Sequence, residues 1–479
     1  MYKFSHKLKI SKDSFNQFLN TDWTKLPHII FLASLFIISR IPLINMGFGT
    51  DPDAWRIANS AYDLKNFFVY HPSRFPGYPL PEYVNSLIID YGWVATNSLT
   101  LILSLISVII FAKILNELNV KNKGLIIFTY AFLPIIWINS ATTMDYMWAL
   151  TFIIISWYFV IKKKYIHAGL MMGLATASRP TSLFLILPFL YLIYQNNNTK
   201  KPFQNLLSFL IVLIVTSISF FLPLYLTYGL DFITFYPFDQ SLSAVWYDAS
   251  YFFGPIAIIF GFIILISSLK VLYQKVFQEK DKMIIFLVLS ILFIIIPFIN
   301  APYEIAYLLP AVPFGLLFIN RISKKKLFSV FCFLLLLNSF IGFNIMNSDN
   351  FIQEGLINKE RDVSLNVVYH LKKIINSDIN NSVIISGEYL PFIAYLSETS
   401  GKRVKTIDMV GSGTLERNEY VNDKKNIRYA YLVSLEEIQN FKKEGYDLYY
   451  IGNTSLNMTK TIFGYDLNKY NCTNIFDYL

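Results

Sequence analysis

Residues 283–299 read MIIFLVLSILFIIIPFI, an apolar run without a charged side chain. Lysines in residues 275–282 stand just before it, which is typical of a membrane span with a basic flank. Similar runs fill much of the first 346 residues of this 479-residue chain, which is 54% hydrophobic and 15% charged. Because the apolar residues are bunched into long blocks, they predict a polytopic α-helical membrane protein.

The apolar blocks predict about 11 spans, and a full span needs roughly 20 residues. The fifth and sixth blocks are short and are separated by Arg179 and Pro180. Proline removes a backbone donor and arginine is costly in lipid, so we expect a helical hairpin there instead of one overlong helix. The predicted spans cover residues 27–43, 93–118, 124–140, 146–161, 165–178, 181–194, 206–224, 252–272, 283–299, 304–320 and 327–346.

The distribution of lysines predicts the orientation of these spans. With the hairpin counted as two spans, the lysine-rich loops fall on one side, which the positive-inside rule assigns to the cytoplasm. We therefore expect a multi-pass protein of the cell's inner (plasma) membrane, with residues 1–25 retained in the cytoplasm and an extracytoplasmic C-terminus. The net charge of +9 concentrates in these loops, so nucleic acid is not an expected partner.

The composition becomes more polar after residue 346. Residues 382–387 and 446–452 have the pattern of buried strands, and Ser434 followed by Glu437 is a capping-box pattern at a helix start. We therefore predict a transmembrane domain over residues 1–346 and a small extracytoplasmic α/β domain over residues 347–479. The second domain has no glycine-rich phosphate loop or metal-spaced cluster in its sequence, so we expect it to give structural support or to recognise an acceptor.

Two acids, Asp51 and Asp53, follow the first predicted span. Charge near lipid is expensive, so carboxylates at this position indicate chemistry at the membrane surface. Asp53 could instead only cap the helix that we expect to begin at Ala54, since aspartate is a favoured N-cap. A carboxylate can take a proton from a hydroxyl when its surroundings lift its pKa toward neutrality, so both residues are candidate catalytic groups.

Candidate anion-binding side chains lie on the same predicted side of the membrane. Residues 70–83 contain four prolines and a glycine, which predicts an ordered, non-helical loop that presents His71 and Arg74. Arg40 stands at the outer end of the first span, and Arg179 at the tip of the short hairpin. A guanidinium binds phosphate with forked geometry, whereas snorkelling to the interface is the alternative for each arginine.

Two acid–tyrosine pairs also begin predicted spans on the outer side. Asp145 and Tyr146 open the fourth span, and Glu304 and Tyr307 lie about one helical turn apart at the tenth. A carboxylate at a helix N-terminus compensates the helix dipole, which would explain both acids without any ligand. The functional and the structural interpretation of these pairs therefore both stay open.

Taken in chain order, these motifs resemble the GT-C superfamily of membrane glycosyltransferases, which includes the protein O-mannosyltransferases and the lipid A aminoarabinose transferases. The resemblance covers the whole membrane part. Its motifs are Arg40-Ile-Pro-Leu with Asp51-Pro-Asp53, the proline-glycine loop at 71–80, the acid–tyrosine helix start within 137–150, the glycine-rich short helix and basic tip within 169–188, and the tyrosine-leucine-leucine-proline motif within 303–313.

This resemblance implies that a sugar is transferred with inversion from a polyprenyl monophosphate to an acceptor hydroxyl on the extracytoplasmic face. The acceptor class stays open between a glycan, a lipid and a protein. The implied roles are Asp51 as the base with Asp53 as the second catalytic carboxylate, Arg40, Arg74, Arg179, His71 and Tyr307 at the donor phosphate, and Asp145, Tyr146 and Glu304 at the sugar or acceptor.

No cofactor is expected to be required, because a monophosphate leaves with less charge than a nucleotide diphosphate and arginines can stabilise it. A divalent cation stays an option at Asp51, Asp53 and His71, although the sequence has no dedicated metal cage. A transporter or lipid flippase, or a non-catalytic membrane scaffold, would also have many spans. The grouping of acids and bases at one predicted face, instead of at the midplane, favours the enzyme.

Overall fold

The structure is a computed structural model, and it describes residues 19–196, 202–233, 242–300, 302, 304–343, 352–399, 405–407, 419–422, 424–431, 433–452 and 467–478. Helices make up most of the first part of the chain. In chain order they are α1 (Leu26–Ile44), α2 (Pro52–Phe67), α3 (Pro79–Ser86), α4 (Gly92–Glu117), α5 (Lys123–Phe132), α6 (Pro134–Asn139), α7 (Tyr146–Ile161), α8 (Tyr165–Ser178), α9 (Ile186–Asn196), α10 (Pro202–Tyr228), α11 (Leu242–Phe253), α12 (Pro255–Ser267), α13 (Leu269–Tyr273), α14 (Lys282–Asn300), α15 (Ala311–Ile322) and α16 (Lys325–Leu337).

Within the described residues, four helices are long and apolar enough to cross a membrane, namely α1, α4, α10 and α14. The pair α11 and α12 makes a fifth candidate span, although the two helices are bent by 95° at Gly254. The fold is therefore mostly helical, with four or five candidate membrane-spanning helices and a small C-terminal sheet. The expected number of about 11 spans stays a prediction.

Several predicted spans are broken or shortened where the local sequence opposes a helix. The run at 124–140 divides into α5 and α6 because Pro134 disfavours a helical conformation at Leu133, whose ψ is 132°. The run at 304–320 starts with a 3-10 turn, Ile305–Leu308, before α15. The helix predicted at 327–346 ends at Leu337, and the chain then forms a strand.

The predicted break at Arg179 and Pro180 is present, but the two helices beside it do not form the expected hairpin. After α8 the chain makes a 3-10 turn, Pro180–Leu185, and then enters α9. Helix α8 packs chiefly along α7 and α10, whereas α9 packs chiefly against α14. The proline ends one helix, and tertiary packing then sends the next helix to different neighbours.

Small residues let α8 and α10 lie very close together. A Cβ atom added to Gly169 would stand 2.4 Å from the backbone oxygen of Phe209, and one added to Gly173 would stand 2.6 Å from Cβ of Thr216. Such close backbone approach is a common way to pack helices in lipid, where apolar burial alone does not favour helix association. These two glycines are therefore needed for packing.

The segment after α1 is more helical than the sequence predicts. Helix α2 begins at Pro52 and not at Ala54, and its N-cap is Asp51, whose side chain accepts the N–H of Asp53 at 2.8 Å. The expectation that Asp53 caps this helix is therefore wrong. The proline-rich stretch was expected to be non-helical throughout, but α3 begins at Pro79, because proline fits the first position of a helix.

The C-terminal part forms a six-stranded sheet beside the membrane helices. In chain order the elements are β1 (Ile341–Phe343), β2 (Ile352–Glu354), α17 (Leu356–Asn376), β3 (Ser382–Ile385), α18 (Leu390–Thr399), β4 (Lys405–Ile407), β5 (Glu419–Asn422), β6 (Ile427–Ala430), α19 (Leu435–Lys443), β7 (Asp447–Tyr450), β8 (Thr473–Asn474) and α20 (Ile475–Tyr478). The strands β3, β6 and β7 are parallel, and the strand order in the sheet is β4-β5-β6-β3-β7-β8. The capping box predicted at Ser434 and Glu437 is confirmed at the start of α19.

The two faces of this sheet belong to different cores. Val383 and Ile385 pack in a small core with Phe441 of α19. Ile384 points to the opposite face and joins a core that continues through α18 and α2 into the membrane helices. Because successive side chains of a strand point to opposite faces, one face of the sheet packs against the helices of the first part of the chain.

Candidate functional site

Three arginines and three acids form one continuous chain of ion pairs where α2, the loop before α3, α7, the end of α8 and the C-terminal sheet meet. Opposite charges alternate along the whole chain. In order the members are Glu388, Arg56, Asp53, Arg74, Asp145 and Arg179.

Arg74 is the central cation of this ion-pair chain. Its Nε lies 2.8 Å from Oδ2 of Asp53, and its Nη2 lies 2.9 Å from Oδ1 of Asp145. The other oxygen of Asp145 accepts a hydrogen bond from Arg179. Asp145 is fully buried and Arg179 is 4% exposed, so this pair is held away from water. Asp145 therefore binds two guanidinium groups and makes no capping hydrogen bond to α7.

A second buried acid, Glu82, holds the loop that carries Arg74. Its carboxylate accepts the N–H of Ser73 at 2.8 Å and the hydroxyl of Tyr70. Gly77 closes the turn by donating its N–H to the carbonyl of Arg74 at 2.8 Å, with a φ of +94° that favours glycine. Burial raises the pKa of Glu82, although these hydrogen bonds oppose the shift. The loop is thus fixed by its own side chains.

Three carboxyl groups cluster beside the ion-pair chain, and we call them the acid trio: Asp51, Asp53 and Glu304. One oxygen of each lies within 4.8 Å of the others, a spacing that could hold an oxygen-preferring divalent cation. Glu304 also accepts a hydrogen bond from Tyr146 and is hydrogen-bonded to Asp51. The third member is thus Glu304 and not His71, which the sequence suggested.

The members of the acid trio have different pKa values because their surroundings differ. Burial raises the pKa of the Asp51 carboxyl well above its usual range, and the adjacent Glu304 and Asp53 raise it further. Burial would also raise the pKa of Asp53, but Arg74 and Arg56 outweigh it and lower that pKa below its ordinary value. Asp51 therefore has a greater affinity for a proton than Asp53.

The acids of the site outnumber its cations. Five carboxyl groups, those of the acid trio with Asp145 and Glu388, stand against the three guanidinium groups of the ion-pair chain. Like charges held this close cannot all ionise without a large electrostatic penalty. A shared proton or a bound cation would remove the excess.

Aromatic rings cover the guanidinium groups and leave some of their N–H donors unpaired. The Arg179 carbon Cζ lies 4.3 Å from the ring centre of Tyr146 and 4.2 Å from that of Tyr307, and Arg74 lies 4.0 Å from that of Tyr78. Nη1 of Arg74 and Nε of Arg179 are buried and find no acceptor among the described residues. A buried N–H group of a guanidinium is costly to leave without an acceptor, and a negatively charged acceptor binds it most strongly, so these two nitrogens favour binding of an anion.

Arg40, expected at the donor phosphate, lies outside this site. Its fully buried guanidinium donates to Oγ of Ser140 at 3.1 Å and to the carbonyl of Ala131, and it lies 3.7 Å from the ring centre of Phe36. Trp137 provides another ring at 4.8 Å. The structure thus places Arg40 apart from the ion-pair chain, because a position at a helix end does not determine which face of the helix the side chain occupies.

His71 is not a member of the acid trio. It is exposed, and its Nδ1 lies 3.4 Å from the hydroxyl of Tyr228. Its backbone carbonyl accepts the hydroxyl of Ser60. Its predicted role at the phosphate or at a metal stays a prediction.

Most of the other predicted site residues do come together, and the structure adds further ones. The predicted residues that meet are Asp51, Asp53, Arg74, Asp145, Tyr146, Arg179, Glu304 and Tyr307. Sequence reasoning missed Arg56, Tyr78, Glu82 and Glu388. The sequence could have indicated Arg56, because it follows Asp53 by three residues and residues at this spacing share one face of a helix.

Comparisons of the chain with protein-family models, with curated proteins and with solved structures find no match. The fold and the site thus define a class and no particular member: a mostly helical protein with four or five candidate membrane-spanning helices among its described residues and a buried cluster of acids and arginines. Function has to be argued from the chemistry of that cluster, because a fold alone does not determine it.

Proposed function

We propose that this chain is a membrane glycosyltransferase that moves a sugar from a polyprenyl-phosphate donor to an acceptor hydroxyl. The observation that carries the proposal is the pairing of one carboxyl of raised pKa, Asp51, with two buried arginines whose N–H donors are unpaired. A base beside an anion site is what transfer from a phosphate-linked sugar needs.

Asp51 would act as the general base. Burial, with the adjacent Glu304 and Asp53, raises the pKa of Asp51, and a carboxylate of raised pKa is a stronger base toward an acceptor hydroxyl. Attack by that hydroxyl on the anomeric carbon breaks the bond to the phosphate oxygen and inverts the configuration. The proton ends on Asp51 or its hydrogen-bonded neighbour Glu304.

Arg74 and Arg179 would hold the departing phosphate. Both are fixed by Asp145, and each has one buried nitrogen, Nη1 of Arg74 and Nε of Arg179, that can still donate to a further acceptor. Guanidinium groups that are already oriented stabilise developing phosphate charge without reorganisation. Asp145, expected to bind sugar or acceptor, therefore has a different proposed role, namely to orient the two arginines.

Tyrosines and the remaining acids would line the sugar and acceptor positions. Tyr146 and Tyr307 cover Arg179, and Tyr146 donates to Glu304. These groups can bind sugar hydroxyls beside the phosphate. No cofactor is required in this proposal, and a divalent cation, if one is used, would be held by the acid trio.

The donor lipid would reach the phosphate site along apolar surface next to Arg179. Leu183 is 43% exposed, Phe184 is 44% exposed and Leu187 is 56% exposed, immediately after that arginine. An isoprenoid tail would cover these side chains and gain about 25 cal/mol for each Å² of apolar surface buried. The proposed orientation keeps the site at the extracytoplasmic face of the plasma membrane, with the N-terminus in the cytoplasm.

A transporter is the second candidate, and one observation favours it. Helices α11 and α12 are bent by 95°, and broken helices are typical of transporter binding sites. The two candidates differ in what happens to the substrate, because a transporter leaves the sugar–phosphate bond intact. A chemical assay therefore separates them.

The test is sugar transfer by the purified protein in nanodiscs with a panel of polyprenyl-phosphate sugars. The panel is chosen from the lipid-linked sugars that accumulate, by mass spectrometry, in cells without the protein. The wild type should release polyprenyl phosphate, whereas Asp51→Asn should retain folding and lose transfer by a factor of about 100 or more. The exposed Asp90→Asn is the matched control and should transfer normally. Near-normal turnover by Asp51→Asn would exclude Asp51 as the base.

A further inference from the structure

Arg40 is a buried cation without a counter-ion among the described residues. It is fully buried and lies in α1, one of the candidate membrane-spanning helices. Its hydrogen-bond acceptors are Oγ of Ser39 at 2.9 Å, Oγ of Ser140 at 3.1 Å and the carbonyl of Ala131, and all three are neutral. None of the ion pairs in the described part of the chain includes it. A buried charge without an opposite charge is costly, so this arginine favours an anion nearby.

A cavity of about 240 Å³ lies one side chain away from this guanidinium. Ser39, which accepts the hydrogen bond from Arg40, lines the cavity. Trp137 of α6 lines it too, and its ring centre lies 4.8 Å from Cζ of Arg40. The start of α17 contributes Asn358 and Arg361. Among the described residues that line this cavity there is no acid, so its lining is neutral or basic.

Arg361 brings a second guanidinium to the cavity. Its Nε donates to Oδ1 of Asp362 at 3.0 Å, and no group in the described ranges accepts a hydrogen bond from its two Nη nitrogens. The Asp362 side chain is 49% exposed, so water screens this pair. Asn358 stands in the first turn of α17, where the helix dipole is positive. A phosphate fits this lining, because guanidinium groups bind it with forked geometry.

Exposed apolar surface leaves the cavity on two sides. Pro42 of α1 lines the cavity, and Ile38, one helical turn earlier on the same helix face, is 62% exposed. Phe340, which follows α16, also lines the cavity and is 67% exposed. Pockets for small molecules begin at roughly 300 Å³, so a cavity of about 240 Å³ holds a headgroup, and lipid chains would lie outside it.

We propose that this cavity binds the phosphate headgroup of an anionic membrane phospholipid, whose two acyl chains cover Ile38 and Phe340. A zwitterionic headgroup would add an ammonium group to a lining that already has cations and no described acid, so a lipid of net negative charge is favoured. The bound lipid compensates the charge of Arg40 and holds α17 of the C-terminal domain against α1. This inference does not depend on the proposed function.

The first experiment measures lipid binding to the full chain, purified in detergent micelles and stripped of lipid, by native mass spectrometry. Phosphatidylglycerol is the anionic probe, and phosphatidylcholine with the same acyl chains is the zwitterionic comparison. The wild type should bind one phosphatidylglycerol at this site with an affinity at least about tenfold higher than that for phosphatidylcholine, because a charge-assisted hydrogen bond is sufficient for such a difference.

Two variants change the charge of the cavity in different ways. Arg361→Gln removes a cation and should weaken phosphatidylglycerol binding about tenfold. Asn358→Asp places a carboxylate in the cavity and should weaken binding at least as much. It should still fold, because an acid in the first turn of a helix is stabilising. The matched control is Lys443→Gln, which removes an exposed cation from α19 of the same domain and should leave the affinity unchanged.

The second experiment tests whether the lipid compensates Arg40. Phosphatidylglycerol should raise the thermal unfolding midpoint of the wild type more than phosphatidylcholine does, because a ligand that binds only the folded state stabilises it. Arg40→Gln should reduce this difference between the two lipids. If Arg40→Gln does not fold, Asn358→Asp replaces it: in phosphatidylcholine it should be at least as stable as the wild type, and it should gain less from phosphatidylglycerol.

Several outcomes would overturn the inference. Equal affinity for the two phospholipids, or unchanged phosphatidylglycerol binding in both Arg361→Gln and Asn358→Asp, would exclude recognition of the negative charge by this cavity. Equal weakening in Lys443→Gln would mean that only the overall charge matters. If water-soluble glycerol phosphate binds as tightly as phosphatidylglycerol, the acyl chains are not part of the site. If polyprenyl phosphate displaces phosphatidylglycerol at equal concentration, the cavity binds the proposed donor instead. None of these measurements uses sugar transfer, so they remain decisive if the proposed function fails.

Discussion

Asp145→Asn removes the charge that holds Arg74 and Arg179 in place. Asp145 is fully buried, with Arg74 at 2.9 Å and Arg179 on its other oxygen. Removal of one partner of a buried pair leaves an uncompensated charge and costs about 3 to 5 kcal/mol. Here two guanidinium groups lose the same partner, so we expect a loss in this range, together with a large loss of sugar transfer.

The matched control is Asp281→Asn, which removes an acid from a partly exposed ion pair. Asp281 lies 3.3 Å from Arg321, and the two side chains are 23% and 26% exposed. It also accepts the N–H groups of Met283 and Ile284 at the start of α14, but asparagine is an equally good cap. Exposed pairs contribute at most about 1 kcal/mol, so this variant should remain close to the wild type.

The assay is equilibrium unfolding of both variants in mixed micelles, followed by tryptophan fluorescence at neutral pH. Asp145→Asn should lose at least about three times as much free energy of unfolding as Asp281→Asn, as the two ranges above imply. Equal losses would refute the reasoning, because they would mean that the Asp145 pair is as well screened by solvent as the surface pair.

Three further predictions concern stability. Asp51→Asn should stabilise the protein at neutral pH while it abolishes transfer. The folded state binds the Asp51 proton more tightly than the unfolded state, so wild-type stability falls as the pH rises above the ordinary aspartate range, and asparagine removes that loss. Thermal unfolding at several pH values checks this, and a variant less stable than the wild type at pH 7 would contradict it. Arg40→Gln should lower the free energy of unfolding by about 2 kcal/mol through lost contacts with its aromatic neighbours, without changing the rate constant for transfer per folded molecule. Gly169→Ala should destabilise by about 1 to 3 kcal/mol, because its Cβ would meet the backbone of Phe209, whereas Gly315→Ala meets no atom within 4 Å and should be neutral or stabilising.

Much of the local structure follows from short-range sequence rules. The run at 283–299 becomes α14, and the capping box at Ser434 starts α19 as its pattern predicts. The helix break at Arg179 and Pro180 is also present. Each of these features depends on residues within a few positions of one another, so the sequence contains the necessary information.

The tertiary structure alone decides which charged side chains meet. Asp53 was predicted to share a site with Arg40, but its partners are Arg56 and Arg74, because Arg40 points to the face of α1 that packs against α5 and α6. Glu388 reaches Arg56 from 332 residues away. No local pattern specifies such a contact, since it depends on how α18 packs on α2.

For this protein the sequence by itself determines the apolar helices, their breaks, and the positions of acids and arginines along the chain. Only the tertiary structure decides that Asp51, Asp53 and Glu304 cluster, and that Asp145 binds two arginines at once. The physical reason is that apolar burial has no preferred direction, whereas an ion pair requires two particular atoms within about 4 Å. Packing of the whole chain brings those atoms together.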